Sequence, residues 1–261
     1  MAKKKGKILA YLVLFALIVF GIYTWYQKTY VPVLPLELQN NNTNVPEIAP
    51  TEIEEVVIQN SHTDEESTYF SIHATYPKNG PAAKMIGDYV EKTIATFKKE
   101  NDPTGLTEIE KENFGLNDGR KYILTITYDI KSSAMVATYV MQIYTDTGGA
   151  HGFQDIQTFS YDTTGKALTL DSFFTKSGYL PVLGTITGDM LAKQLGDYAQ
   201  ADMISAGTAP VIANFSDFYT TDSSIIFLFP PYAVAPYAAG LITLPIPAAS
   251  FGAIIDRSFF P

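Results

Sequence analysis

His151 is one of only three histidines in a 261-residue chain. It stands in Tyr144-Thr145-Asp146-Thr147-Gly148-Gly149-Ala150-His151-Gly152, a stretch combining an aromatic, a carboxylate and an imidazole with three glycines. A tight turn accounts for the glycines, since glycine takes positive φ without steric cost. It does not account for the side chains around them. Gly148 and Gly149 could form a backbone turn or a small concavity of N–H groups, with Thr147 beside them as a further candidate for binding. His151 could hydrogen-bond across that turn, touch a partner, or serve a metal or a proton transfer. The second candidate is the segment 229–240, where Pro230, Pro231 and Pro236 stiffen a backbone carrying Tyr232 and Tyr237. Aromatics held on a rigid backbone lose little entropy on binding and often anchor interfaces. The same tyrosines could instead cover the end of a sheet.

Enzymatic chemistry finds little support in the sequence. There is no G-x-S-x-G, H-E-x-x-H, P-loop or dinucleotide fingerprint. The other histidines, His62 and His73, fall in an expected polar turn and a strand, far in sequence from His151. Three scattered histidines make a weak case for zinc. The chain has no cysteine, which removes disulfides, thiolate nucleophiles and Cys-ligated metal together. Neither a cofactor nor a metal is expected, and the protein reads as non-catalytic; a cell-wall hydrolase is the weaker alternative.

The elements that hold these loops follow from hydropathy and charge. Lys3, Lys4, Lys5 and Lys7 precede an uncharged run at 8–26, 19 residues long. As a helix this run spans roughly 30 Å, enough to cross a bilayer. Trp25, Tyr26, Lys28 and Tyr30 would sit at the far interface, and the lysines keep the amino terminus cytoplasmic. A cleaved signal peptide is the competing reading, but no A-x-A-like site follows the run. Beyond residue 30 the chain has 13 basic against 27 acidic residues, a net −14. That balance argues against nucleic acid and is compatible with a basic protein partner. The predicted division is an anchor at 1–30, a Pro- and Asn-rich linker at 31–52 and an exterior domain at 53–261.

Within that domain the expected class is α+β: antiparallel β-sheets with two main helices packed on them, preceded by the transmembrane helix. Strands are predicted at 56–60 and 68–76 around a polar turn at 61–67, then at 121–130, 134–144 and 153–161 as a meander. Asp162-Thr163-Thr164-Gly165-Lys166 reads as a hairpin turn. A helix is expected at 81–100, with Met85, Ile86, Tyr89, Val90, Ile94 and Phe97 at helical spacing. A short strand at 168–170, a turn capped by Asp171, and a second helix within 177–200 follow. Strands at 215–220, 224–229 and 241–246 precede a short terminal helix at 247–255.

The 144–151 stretch, the run Gly165-Lys166-Ala167-Leu168-Thr169-Leu170-Asp171-Ser172-Phe173-Phe174 and the 229–240 segment occur in this order. Together they resemble the extracytoplasmic module of RsiV-type anti-sigma factors, which also precedes the catalytic domain of PdaC-type peptidoglycan deacetylases. The resemblance covers about 53–256 and departs at Gly152, where the family often carries proline. It implies a non-catalytic module that binds lysozyme through its loops. With seven residues before the apolar run and an end at Pro261, neither an anti-sigma nor a deacetylase domain is expected. The resulting expectation is a membrane-anchored, extracytoplasmic binding module of the bacterial cell envelope, taking a lysozyme-like protein or a cell-wall glycan. A structural envelope protein without a soluble ligand is the alternative.

Overall fold

A computed structural model describes residues 57–261. The predicted anchor and linker lie outside the described residues, among which no helix is long and apolar enough to cross a membrane.

The fold is α+β, built on two sheets. The first has six strands in sequence order: β1 (Asn60–Glu66), β2 (Phe70–Pro77), β3 (Tyr122–Ser132), β4 (Val136–Asp146), β5 (Phe153–Asp162) and β6 (Ala167–Leu168). Apolar residues alternate along the central strands, so one face is continuous and buried. Leu124 and Ile126 on β3 share it with Tyr139, Met141 and Ile143 on β4. Helix α1 (Ala83–Glu100) covers that face with Ile86, Val90 and Phe97. The meander and the Asp162 turn are as expected. Asp162 Oδ1 accepts from the N–H groups of Thr164 and Lys166 at 2.8 and 3.0 Å.

Two expectations for this half are corrected. The residues taken for a polar turn at 61–67 are themselves a strand, β1, paired along its length with β2. An edge strand with no buried side needs no apolar residues, so hydropathy does not announce it. The sheet is also mixed, because β2 and β3 run parallel. Parallel neighbours need a crossover, and here α1 supplies it with a shorter helix, α2 (Glu108–Asn113). A capping box starts α2: Thr107 accepts from the Glu110 N–H, and the Glu110 carboxylate accepts from the Thr107 N–H.

The second sheet, β7 (Phe218–Thr220), β8 (Ser224–Phe229) and β9 (Ile242–Pro247), is antiparallel. Its Ile225, Phe227 and Phe229 pack with Leu183 and Leu191 of α3 (Leu180–Gln194). The helix predicted within 177–200 ends at Gln194, and after a tight turn at Gly196–Tyr198 a further, unpredicted helix, α4 (Ala201–Gly207), follows. Phe215 belongs to a 3-10 turn rather than to β7, Thr169 rather than Asp171 opens the turn at Leu170–Phe173, and the terminal helix is a 3-10 segment broken at Gly252. Of the short strand predicted at 168–170 only Leu168 lies in β6, while Leu170 already belongs to the 3-10 turn.

On its other side β8 presents Leu228, which packs with Val140 and Ile156 of the first sheet. Polar joints reinforce this contact. Asp217 accepts from the Thr158 N–H at 2.9 Å, Thr158 Oγ1 accepts from the Phe218 N–H at 3.2 Å, and Asp222 accepts from the Ala134 N–H at 2.8 Å. The second sheet thus covers the part of the first near the β3–β4 hairpin.

Candidate functional site

The two loops singled out by sequence meet. Tyr144 ends the exposed side of β4, and its ring, 41% exposed, lies over Gly152. A Cβ at Gly152 would run into that ring, so the residue must be glycine or the tyrosine must move. The Gly152 carbonyl accepts from Tyr237 Oη at 2.9 Å and from His151 Nδ1–H at 2.9 Å. The His151 and Tyr237 rings stack with centroids 3.8 Å apart and 21° between planes. Tyr232 stands 5.6 Å from Tyr237. One backbone carbonyl therefore organises an aromatic cluster drawn from both loops.

Each loop is held from beneath. Asp146 accepts from the Gly148 N–H at 2.9 Å and from Arg120 at 3.0 Å, an Asx turn with an ion pair attached. Gly148 takes φ +87° and lies against Phe114. Thr147 is half-buried in this turn, while Gly149 is exposed on its outside. The supporting partners Arg120 and Phe114 lie outside both motifs, and only the Asp-x-Gly spacing signals the turn that they brace. In the other loop Pro231, Val234 and Ala235 are buried, and Pro230 and Pro236 accept from the N–H groups of Ala233 and Ala239. Gly207 of α4 packs so closely on the Ala233 carbonyl that a Cβ would collide with it. Tyr232 is 52% exposed with φ +71°, and it is the one non-glycine residue at positive φ among the described residues. Backbone strain of this kind concentrates at functional positions.

His62 and His73 lie on β1 and β2, both exposed, rather than one in a turn. Register places Asp64, His73, Thr125 and Tyr144 in one row on the face opposite α1. His73 Nδ1 is 2.8 Å from Asp64, and its Nε2 is 3.2 Å from Ser71 Oγ and 3.3 Å from Glu66. The connectivity is that of a nucleophile, a base and an orienting acid, but the electrostatics oppose it. The hydrogen bond to Asp64 raises the His73 pKa, with the charges of both carboxylates adding to the effect, which shifts the imidazole toward its protonated form and away from a free base. Ser71 Oγ donates to Glu66, whose carboxyl is lowered by Lys121 first and by Ser71 second. β2 is paired on both sides, so its N–H groups serve the ladder rather than an oxyanion. This trio behaves as an ion-pair network pinning β1 to β2.

On the α1 side, a groove of about 280 Å³ lined by Tyr89, Thr93, Phe97, Leu124 and Thr145 faces away from the aromatic cluster.

Residues 171–249 match DUF3298, a protein family of unknown function. That stretch contains α3, α4, the second sheet and the Tyr232–Tyr237 loop, but neither Tyr144 nor His151. The chain is 30% identical over 171 residues to the peptidoglycan-N-acetylmuramic acid deacetylase PdaC of Bacillus subtilis, which covers 64% of this chain and 35% of PdaC. The chain thus spans about a third of PdaC's length. It is 26% identical over 192 residues to the immunogenic protein MPT64 of Mycobacterium tuberculosis, covering 71% of this chain and 78% of MPT64. A DUF3298 crystal structure from Bacteroides fragilis superposes with a TM-score of 0.54 at 18% identity, over 77% of this chain and 93% of that one. That likeness concerns the fold alone.

Proposed function

We propose that this chain is a membrane-anchored, extracytoplasmic module of the bacterial cell envelope that binds a ligand through the aromatic cluster and performs no catalysis. The observation that carries the reading is the meeting of two loops about 85 residues apart on the Gly152 carbonyl, with a strained, exposed Tyr232 beside them. Burial would explain apolar side chains at a sheet end; it would not hold an exposed tyrosine in a left-handed backbone. The lysine cluster before an apolar run supports the anchor, and the similarity to PdaC, by name a peptidoglycan enzyme, supports an envelope setting. The RsiV-like resemblance adds a lysozyme-like protein as a ligand, beside a cell-wall glycan.

The test is calorimetry of the full chain in detergent against hen lysozyme and against soluble peptidoglycan fragments. Binding of one of them, weakened by Tyr232→Ala and His151→Ala with folding intact, is the expected result. If neither binds, or if both variants bind as the parent does, the reading gives way to a structural envelope protein.

A further inference from the structure

We infer that the open part of the first sheet is a carbohydrate platform, on which an uncharged glycan strand lies across β1 to β4 with one end against the Tyr144–Tyr237–Tyr232 cluster. The inference rests on the binding reading above and names its ligand class. It starts from what covers the sheet. α1 takes one face, and the other is buried at Val136, Thr138 and Val140 of β4 and at Ile156, Thr158 and Ser160 of β5, with the second sheet over Val140 and Ile156. On β1, on β2 from Ser71 to Thr75, on β3 and on β4 from Gln142 onward that face is left exposed or half-exposed. Its middle row is Asp64, His73, Thr125 and Tyr144, in register on four neighbouring strands. Three strand intervals make this row about 14 Å long, which suits a short oligosaccharide rather than a single sugar.

The chemistry of the face decides between occupants. The described domain is acidic, which by itself would favour a basic protein. Yet the acids on this face are already paired: Asp64 with His73, Glu66 with Lys121, Asp129 with Lys131, and Asp146 with Arg120. A cationic partner would have to break these pairs and would gain little from exposed, screened charges. Protein interfaces also need an apolar centre, and outside the cluster the face offers, between its ion pairs, the hydroxyl, amide and imidazole groups of Asn60, His62, Ser71, Thr125, Thr127 and Gln142. Those groups both donate and accept, matching a chain of sugar hydroxyls. Sugar rings also carry apolar C–H faces, and the exposed rings of Tyr144 and Tyr232 supply flat partners for them at the end of the row.

The experiment titrates the full chain in detergent with chitopentaose, cellopentaose and hen lysozyme, at low and physiological salt. The variants are Thr125→Arg in the middle of the row, Thr127→Arg on the exposed neighbouring row, and Tyr232→Ala in the cluster. Melting curves establish that each variant is folded; if Thr125→Arg is not, Thr127→Arg takes its place. The platform requires that at least one pentasaccharide binds with little salt dependence and that both the arginine and the tyrosine variants weaken it about tenfold. A preference between the two sugars reports whether the acetamido group is read. Lysozyme binding that falls with Tyr232→Ala but not with the arginine variants, without saccharide binding, overturns the platform and leaves the binding cluster standing. Binding of neither sugar nor lysozyme overturns both.

Discussion

Gly152 bears the most on the site while contributing no side chain. Its carbonyl serves Tyr237 and His151, and its missing Cβ leaves room for the Tyr144 ring. Gly152→Ala should therefore displace Tyr144 and cost about 1–3 kcal/mol, as overpacking does, read as a lower denaturant midpoint together with lost ligand binding. At His73 the prediction concerns pH. Its folded-state pKa is raised, first by Asp64, so its contribution to stability is complete below its ordinary value of about 6.5 and fades as pH climbs through the raised one. The groups that face it are Asp64 and Glu66 from β1 and Ser71 and Thr125 beside it, with Lys121 reaching it only through Glu66. His73→Gln should flatten the stability profile across that neutral window, and unfolding midpoints measured from pH 6 to 9 check it. Both loops were legible in the sequence as candidates. Their contact was not, because nothing local records that residue 237 returns to residue 152.

Among the elements, those with a buried side were legible and those without one were not. β8 is a continuous apolar run buried on both faces, the meander carries apolar residues largely at a period of two, and α1 carries its stripe. β1 has no buried residue, and the parallel pairing of β2 with β3 depends on where α1 returns the chain. The joint between the sheets shows the same dependence on tertiary context. Asp217 is pushed up in pKa by burial, although it accepts hydrogen bonds from Ser216 and the Thr158 N–H. Asp217→Asn keeps an acceptor for that N–H and removes the desolvated charge, so stability at neutral pH should hold or rise. Asp217→Ala leaves the N–H of the buried Thr158 without its partner and should cost about 1–3 kcal/mol. Chemical denaturation of the two variants side by side separates these outcomes.

At the scale of the whole molecule, protection is unevenly distributed. β4 lies between α1 and the second sheet at Val140 and β3 is paired on both sides beneath α1, whereas β1 pairs on one side only and is pinned by exposed ion pairs. Native-state hydrogen exchange should find β1 opening at much lower free energy than β3 or β4. Equal protection of β1 and β4 would contradict this layering. The layering was only partly legible from sequence: the helix–sheet pairing follows from α1's stripe, while the sheet-on-sheet contact rests on a few residues such as Leu228 that look like any other strand residue.

Tyr232 makes robustness and purpose pull in opposite directions. A left-handed backbone costs a bulky residue about 1 kcal/mol, and asparagine tolerates it far better. A library randomised at this position and selected only for heat resistance should therefore discard the tyrosine in favour of asparagine or glycine. The same library selected for ligand capture should keep the aromatic. Sequencing the survivors of both selections would show whether that backbone is tolerated for the sake of what the ring touches.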